Sequence, residues 1–327
     1  MYSSIAMSSK NDILKTPPKA LAFDVFGTVV DWRKTVTSTL IHSAAAKPSS
    51  FSRSAALSPE VRVQLSKLTD QDWGQFAQEW RNSYKKLVRE FVPGETERRD
   101  IDTHHHASLI DLLKKWNLEG LYTKEEVEEL SLVSASISRN NFSLSSNAAS
   151  SLLIRWLKSR ELAKHSINSH FINIGYADSE ILQVWHYLDP WTDSSAGLQK
   201  LGTKFITSTL SNGNQSLLRD LDKHGDLGFK KLQSSADFKA YKPHPSVYKG
   251  AAKAMGLEPG EVAMVAAHLS DLKAARGCGF KTIYVERKQE EDWKHEQEYE
   301  DAKTWVEMWV TEEEDGLLEV ARRFGIS

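Results

Sequence analysis

The sequence predicts an α/β fold, a doubly wound parallel sheet with an inserted helical cap domain. Two observations carry this prediction. Short apolar runs alternate with helical stretches in the C-terminal part of the chain, which is typical of right-handed crossovers between parallel strands. A long helix-rich stretch separates the first apolar run from the second, and an insertion of this size must form its own domain. We expect the core to comprise residues 20–34 and 197–327, and the cap residues 35–196.

The first predicted strand is the apolar run Ala20–Phe23, which ends at Asp24 and is followed by Gly27. Similar runs, each short enough for a buried parallel strand, cover residues 204–210, 262–267 and 280–285. Helical stretches between them cover residues 215–223, 245–255 and 269–278. We also predict an edge strand at 305–310 and a closing helix at 316–324. Trp305 and Trp309 indicate a packed or dimeric edge there, so a homodimer stays open.

The predicted cap has apolar residues at helical spacing in 58–91 and 102–116, and a shorter helix at 124–130. The Ala-, Ser- and Lys-rich stretch 43–56 and the Ser- and Asn-rich stretch 134–151 are predicted to be poorly ordered. The run His104-His105-His106 suggests a metal site at first sight. Three successive side chains on a helix point in different directions, however, so we expect a partly exposed helix start instead.

Composition excludes several classes of protein. The chain has 327 residues with 42 Lys and Arg against 44 Asp and Glu, a formal charge of −2. This balance favours neither a nucleic-acid nor an anionic membrane partner. No apolar run reaches the roughly 20 residues of a membrane span. The polar, Ser-rich stretch 1–19 predicts a disordered tail rather than a secretory signal. The single cysteine, Cys278, favours a reducing compartment, and a cytoplasmic enzyme is expected.

Polar residues follow the predicted strands where each strand ends. Asp24, Ser211, Asn212 and His268 all occupy such positions, although they are far apart in the sequence. Reactive groups of doubly wound sheets gather beyond the carboxyl ends of the strands. We therefore expect these side chains to form one site.

The segment Phe23-Asp24-Val25-Phe26-Gly27-Thr28 resembles the first motif of the haloacid dehalogenase superfamily. Segments 209–213, 241–243 and 265–271 resemble the second, third and fourth motifs, in that order. The resemblance covers about residues 21–31 and 184–285 well, and the cap only in patches. It implies the Rossmann-like core of that superfamily, in which Asp24 would be a covalent nucleophile.

Two departures separate this sequence from the phosphatases of the superfamily. Those enzymes carry a second aspartate two residues after the nucleophile, where this chain has Phe26. They also hold Mg²⁺ with acids of the fourth motif, where this chain has Ala266 and Ala267. The sequence is instead similar to those of the type II (S)-2-haloacid dehalogenases in segments 24–29, 185–191, 210–214 and 241–245. This resemblance implies hydrolysis of small 2-haloalkanoic acids to 2-hydroxyacids, with no metal and no cofactor.

The resemblance also implies roles for individual residues. Asp24 would attack the α-carbon with inversion, and water would then attack the carbonyl carbon of the resulting ester. Lys242 would offset the charges of Asp24 and of the substrate carboxylate. Asp271 would position or activate the water. Arg81, within Glu79-Trp80-Arg81, would receive the departing halide, because guanidinium stays charged and is weakly hydrated.

Further residues are expected to contact the substrate or its nucleophile. Thr28, Ser211 and Asn212 would hold carboxylate oxygens through hydroxyl and backbone donors. Phe26 would line the substrate site, and Tyr248 would pack near Lys242. His268 stands where many relatives carry asparagine. It is expected either to serve as a base near pH 7 or to cap the helix that begins at Leu269.

Two alternatives stay open, a small-molecule phosphatase of the same superfamily and a chain made inactive by its cap insert. The insert is segment 133–183, which separates stretches that adjoin in the family resemblance. It begins Val-Ser and ends in Gln, which common intron boundary codons would encode. We interpret it as a translated intron or a disordered insert, with a lineage-specific cap loop as the alternative.

Overall fold

The computed structural model describes residues 12–49, 57–122 and 184–327. Its centre is a five-stranded sheet in the order β2-β1-β3-β4-β5, in which all neighbours are parallel. The strands are β1 (Ala20–Phe23), β2 (Ile206–Thr209), β3 (Val262–Ala266), β4 (Lys281–Val285) and β5 (Met308–Val310). Phe23 at the end of β1 lies between Thr209 and Val265. The predicted doubly wound sheet is confirmed.

The helices are numbered in chain order. They are α1 (Asp12–Lys15), α2 (Trp32–Ser49), α3 (Pro59–Leu65), α4 (Asp70–Glu90), α5 (Ile101–Lys115), α6 (Ser194–Gly202), α7 (Gln215–His224), α8 (Pro245–Ala254), α9 (Leu269–Gly277), α10 (Gln297–Trp305) and α11 (Gly316–Arg323). Single 3-10 turns lie at Val184–His186, Ser235–Phe238 and Pro259–Glu261.

Helices cover both faces of the sheet, because successive side chains of a strand point to opposite sides. Ala20 and Ala22 of β1 belong to the core shared with α8, α9 and α10. Leu21 and Phe23 belong to the other core, shared with α6, α7 and α11. All four side chains are fully buried. The central strand β1 therefore delivers the residue after Phe23 to the middle of the sheet edge.

The helical cap contains α2 to α5, and α4 packs against both α2 and α5. A capping box starts α4: the Thr69 hydroxyl accepts the N–H of Asp72, and the Asp72 carboxylate accepts the N–H of Thr69. The buried face of α4 repeats at three- and four-residue intervals, with Trp73, Phe76, Ala77, Trp80 and Arg81. Arg81 thus continues an apolar stripe and points inward.

One apolar cluster joins the cap to the sheet. Trp32 of α2, Trp80 of α4 and Trp185 are fully buried in the same cluster as Phe23 of β1. Trp185 stacks on Trp32 with ring centroids 6.0 Å apart and meets Trp80 edge-on at 5.5 Å. The cap is therefore held over the strand ends by aromatic packing.

Some sequence predictions differ from the structure. Residues 12–19, assigned to a disordered tail, include α1, whose Ile13 is 1% exposed. The stretch predicted to be poorly ordered from residue 43 is helical as far as Ser49, and the Ser43 hydroxyl lies 2.6 Å from that of Tyr122. Packing against residues distant in sequence orders both segments, which composition cannot indicate. Trp305 ends α10, so the edge strand begins only at Met308.

The predicted domain boundary at residue 197 falls inside α6, which packs against α11 of the core. The predictions for 124–130, 134–151 and 133–183 lie outside the described residues, as do positions 50–56 of the stretch 43–56. Across the described ranges, no helix is long and apolar enough to cross a membrane.

Candidate active site

Asp24 directly follows β1, and its backbone N–H still donates to the Val265 carbonyl at 3.0 Å. The residue is 8% exposed, and its carboxylate accepts three hydrogen bonds. Oδ1 accepts from the Lys242 Nζ at 2.8 Å, and Oδ2 accepts from the Thr28 hydroxyl at 2.9 Å and from His268 Nδ1 at 3.1 Å. Burial alone would raise the pKa of Asp24, but the two cations outweigh it and hold that pKa well below its ordinary value. Asp24 is therefore an ionised, largely desolvated carboxylate.

Lys242 bridges two carboxylates. Besides Asp24, its ammonium donates to Asp271 Oδ2 at 2.6 Å, and the lysine is only 8% exposed. Burial would lower the pKa of Lys242, but the two carboxylates raise it instead. The buried Tyr248 hydroxyl donates to Asp271 Oδ1 at 2.6 Å, and burial together with Asp271 raises the pKa of that phenol. The charge of Lys242 is thus shared between two acids of the site.

His268 lies between two carboxylates. Its Nδ1 faces Asp24 Oδ2, and its Nε2 lies 3.4 Å from Glu290 Oε2. Burial would lower the pKa of His268, but the two carboxylates raise it to about 10. The ring is therefore a cation at neutral pH: its Nδ1–H donates to Asp24, and its Nε2 lies within ion-pair distance of Glu290. His268 stands at the N-cap position of α9 by its backbone, but its side chain makes no capping bond.

These contacts correct both expectations for His268. The side chain does not cap α9, because its ring nitrogens are directed at the two carboxylates. Nor is it a free base near pH 7, because the protonated form is the stable one. The structure instead gives it the form of a cationic hydrogen-bond donor.

Arg81 lies among aromatic rings. Its guanidinium carbon lies 4.8 Å from the ring centroid of Tyr84, 5.3 Å from that of Phe26 and 5.7 Å from that of Trp32. The residue is 8% exposed. Among the residues that the structure describes, no carboxylate forms an ion pair with this guanidinium. Its charge nevertheless contributes to lowering the pKa of Glu290. Arg81 is thus a buried cation in an aromatic enclosure.

Thr28, Ser211 and Asn212 shape the site in different ways. The fully buried Thr28 hydroxyl accepts the Ala267 N–H at 2.9 Å, which directs its own proton to Asp24. The Ser211 hydroxyl accepts the Gly213 N–H at 3.2 Å. The Asn212 amide accepts the backbone N–H of Lys242 at 2.7 Å and donates to the Lys242 carbonyl at 3.4 Å. Asn212 therefore positions Lys242, a contact that the sequence did not predict.

The histidine run on α5 is less exposed than predicted. His104 is 9% and His105 3% exposed. His105 stacks on Trp185 with centroids 4.5 Å apart, and burial holds its pKa well below the ordinary value. The expected partly exposed helix start is wrong at these two positions, because Trp185 covers His105 from a distant part of the chain and His104 lies 3.3 Å from the Ser83 hydroxyl of α4. Within ranges 12–49, 57–122 and 184–327, no three His, Cys, Asp or Glu side chains are grouped to hold a metal.

Sequence reasoning missed Glu290. This residue is 5% exposed and accepts the Trp32 indole N–H at 3.1 Å as well as facing His268. Burial would raise the pKa of Glu290, but His268 outweighs it and the pKa is lowered. Glu290 lies in the loop after β4, so the rule that placed Asp24 and His268 at strand ends also points to this loop. The sequence around Glu290 is rich in acidic residues, so its burial was not predicted.

In chemical terms, the cluster offers an ionised carboxylate, two cations bonded to it, and the Arg81 guanidinium, which forms no ion pair with an acid of the described residues. Asp24 is placed to form a covalent bond with an electrophilic carbon. Phe26, two residues later, has no proton to give to a leaving group. The arrangement is therefore suited to a displacement whose leaving group departs as an anion without a proton.

A family model described as haloacid dehalogenase-like hydrolase matches residues 18–279 of the chain. Among curated proteins, (S)-2-haloacid dehalogenase 1 of Pseudomonas sp. (strain CBS-3) is 32% identical over 112 residues, which cover 33% of this chain and 49% of that protein. The chain thus spans about half the length of the curated relatives it matches.

Solved structures resemble the chain over most of its length. A defluorinating L-2-haloacid dehalogenase matches with a TM-score of 0.61 and 25% identity, over 94% of this chain and 95% of that one. The L-2-haloacid dehalogenase of Xanthobacter autotrophicus with chloropropionic acid covalently bound matches with a TM-score of 0.56 and 16% identity, over 93% and 97%. The second likeness shows the fold alone.

Proposed function

The chain belongs to the haloacid dehalogenase-like hydrolases, and we propose that it hydrolyses the carbon–halogen bond of small 2-haloalkanoic acids. The observation that carries the proposal is the Asp24 carboxylate, ionised between Lys242 and His268 and accompanied by Phe26 instead of an acid. The partial identity to an (S)-2-haloacid dehalogenase supports the substrate class. Chloropropionic acid is one member of that class.

In the first step, an oxygen of Asp24 attacks the α-carbon from the side opposite the halogen. The new C–O bond forms as the carbon–halogen bond breaks, and the halide leaves with the bonding electron pair. Lys242 keeps Asp24 ionised and offsets the charge of the incoming substrate carboxylate. The Thr28 hydroxyl fixes the orientation of the Asp24 carboxylate. The step needs no acid, since a halide ion is stable without a proton.

Arg81 receives the halide in this proposal. Its guanidinium lies over the rings of Phe26, Trp32 and Tyr84, which exclude water from a weakly hydrated anion. A lysine or arginine already paired with a carboxylate would bind an incoming anion less strongly. The Arg81 charge is available to the leaving halide, because no described acid pairs with it, whereas Lys242 is paired with two.

In the second step, water attacks the carbonyl carbon of the Asp24 ester. A proton of the water passes to Asp271, and Lys242 gives a proton to the alkoxide oxygen as the ester bond breaks. Asp271 then returns its proton to Lys242, with which it shares a 2.6 Å hydrogen bond. The product is a 2-hydroxyacid, the second proton of the water is released to solvent, and the Asp24 carboxylate is restored with one oxygen from water.

Halide release from a panel of 2-halopropionates and haloacetates tests the proposal. We expect halide and the matching 2-hydroxyacid in equal amounts, with one enantiomer of each 2-halopropionate consumed. No halide from any member of the panel would overturn the proposed activity.

Chelation separates this activity from that of a Mg²⁺-dependent phosphatase. The two oxygens of Asp24 already bind Lys242 and His268, and the neighbouring positions 266 and 267 are buried alanines. We therefore expect halide release to persist in EDTA. Loss of activity in EDTA and its recovery with Mg²⁺ would move the protein to the phosphatase branch.

A further inference from the structure

We propose that His268 and Glu290 form a charged donor pair that serves the second chemical step at the cost of the first. In this assignment, Asp24 Oδ2 becomes the carbonyl oxygen of the ester. His268 then stabilises the negative charge that Oδ2 acquires when water attacks. The inference rests on the proposed function, because it concerns an ester formed on Asp24.

The two oxygens of Asp24 have different surroundings. Oδ1 accepts one hydrogen bond, from Lys242 at 2.8 Å. Oδ2 accepts two, from Thr28 at 2.9 Å and from His268 at 3.1 Å. An oxygen whose lone pairs are engaged by two donors is the poorer nucleophile. Oδ1 is therefore the oxygen that attacks the substrate, and Oδ2 remains as the carbonyl oxygen between two donors.

Glu290 holds the His268 ring from the other side. Its Oε2 lies 3.4 Å from His268 Nε2 and accepts the Trp32 indole N–H at 3.1 Å. Gly27 makes room for this carboxylate, since a Cβ at Gly27 would overlap the Glu290 side chain. Gly27 also has a φ of +85°, which favours glycine. The turn after the nucleophile and the Glu290 carboxylate are thus fitted to each other.

Other charged groups near His268 have their own partners. The Glu291 carboxylate accepts the backbone N–H of Leu269 at 2.7 Å, and Asp292 binds Lys85 at 2.9 Å. Lys242 lies on the far oxygen of Asp24. Asp24 and Glu290 are consequently the acids that hold the imidazolium, and only Asp24 changes its charge during the reaction.

The charge on Oδ2 changes in opposite directions in the two steps. As the ester forms, the negative charge leaves with the halide and Oδ2 becomes a neutral carbonyl oxygen. As water adds, the electron pair of the C=O π bond moves onto Oδ2, and the water proton passes to Asp271. Collapse then restores the C=O bond and breaks the bond from Cγ to Oδ1, which takes a proton from Lys242 and leaves as the product hydroxyl. A cationic donor at Oδ2 therefore slows ester formation and accelerates ester hydrolysis.

Rapid-quench single-turnover experiments with intact-protein mass spectrometry measure the two steps separately. In His268→Ala, we expect ester hydrolysis to slow by about 100-fold or more, the usual effect of losing one such donor. Ester formation should be unchanged or faster, so the ester mass accumulates. His268→Asn keeps a neutral donor, and Glu290→Gln weakens the charge of the ring, so both should show smaller effects of the same kind.

His224→Gln is the matched control, because His224 pairs with Asp189 outside the site. Both steps should keep the wild-type rates in this variant. Equal slowing of both steps in His268→Ala and His268→Asn, without ester accumulation, would indicate a structural role and overturn the inference. Wild-type protein that forms no ester with any 2-haloacid would overturn the proposed function itself, and the inference with it.

A ligand-free measurement tests the pair without catalysis. In ¹⁵N-histidine-labelled protein at pH 8, His268, assigned by comparison with His268→Asn, should show two protonated ring nitrogens. Glu290→Gln should shift the ring toward the neutral form. A neutral His268 in the wild type would overturn the inference even if the enzyme releases halide.

Discussion

Lys242 and Arg81 are both buried cations of the candidate site, yet their surroundings are opposite. Lys242, from the loop before α8, donates to two carboxylates at 2.8 Å and 2.6 Å. Arg81, from α4 of the cap, has three aromatic rings within 5.7 Å of its guanidinium carbon, and no described acid pairs with it. Each is 8% exposed, so burial does not distinguish them.

This difference shows that the two buried cations of the site have different roles. Removing a cation from water is costly, and paired carboxylates offset that cost for Lys242. Aromatic rings offset less of it, about 2 kcal/mol for a desolvated cation. Lys242 therefore stabilises the two carboxylates already present in the site. Arg81 is stabilised most by an anion that arrives during the reaction. Five variants test this division.

Asp24→Asn should abolish turnover, because an amide cannot form the ester, and a loss of about 10⁴-fold or more is expected. In the wild type, a single turnover in ¹⁸O-water should place the label in Asp24, as mass spectrometry of the active-site peptide would show. Label found only in the hydroxyacid would contradict covalent catalysis.

Lys242→Met should reduce kcat by about 10³-fold and lower the free energy of unfolding by about 3 kcal/mol, since it leaves two buried carboxylates without their cation. The pKa of Asp24 should rise in the variant, so the stability deficit should shrink as the pH falls. Denaturant unfolding at pH 8 and pH 5 measures this change. Lys303→Met, which breaks an exposed pair with Glu300, is the control. An equal loss of stability at pH 8 and pH 5 would show that Lys242 does not offset the charges of Asp24 and Asp271.

Arg81→Lys should lower kcat/KM by roughly 10- to 100-fold, because ammonium holds its hydration shell more tightly than guanidinium. Product inhibition by bromide and iodide should weaken in parallel. Arg276→Lys is a matched control, since Arg276 lies over the Trp305 ring outside the site. An unchanged kcat/KM in Arg81→Lys would mean that Arg81 does not receive the halide.

Tyr248→Phe should lower kcat by about tenfold, since it removes one hydrogen bond to the charged Asp271. Tyr299→Phe removes a phenol bond to Glu286 and should leave kcat unchanged. Identical kcat values for Tyr248→Phe and the wild type would show that Asp271 does not act together with Lys242 in the reaction.

His268 should behave as a compensated cation in its effect on stability. Its folded-state pKa of about 10 exceeds the ordinary value near 6.5, so its stabilising contribution is complete below pH 6.5 and is lost as the pH rises through 10. The Tm difference between the wild type and His268→Asn should therefore shrink by a few degrees between pH 7 and pH 10. A constant difference would mean that the ring does not change its charge between pH 7 and pH 10.

The strand ends were the predictable part of this molecule. Asp24 and His268 follow buried apolar runs, and the parallel order of β1 and β3 brings them together. The patterns predict position along an element, and they placed Asp24, Ser211, Asn212 and His268 at one edge of the sheet. Lys242, Asp271 and Arg81 were expected from the family resemblance, and the structure adds that Arg81 continues the apolar stripe of α4.

Partners contributed by distant loops were not predictable. Glu290 stands among charged residues that suggest a solvated loop, and its burial depends on the space above Gly27 and on the Trp32 indole. His105 is buried because Trp185 covers it. Periodicity and composition describe one element at a time, whereas these contacts exist only once the elements have packed. The choice between base and cap for His268 failed for the same reason.

The packing of Trp32, Trp80 and Trp185 has a consequence for folding. These rings lie in the same apolar cluster as Phe23, the residue that precedes Asp24. Opening the cap as a rigid body would expose that cluster to water, so the cap and the sheet form one cooperative unit. The strength of packing in the cap therefore sets how firmly Asp24 is held, and a cavity made beneath Trp80 would loosen Asp24 without touching it.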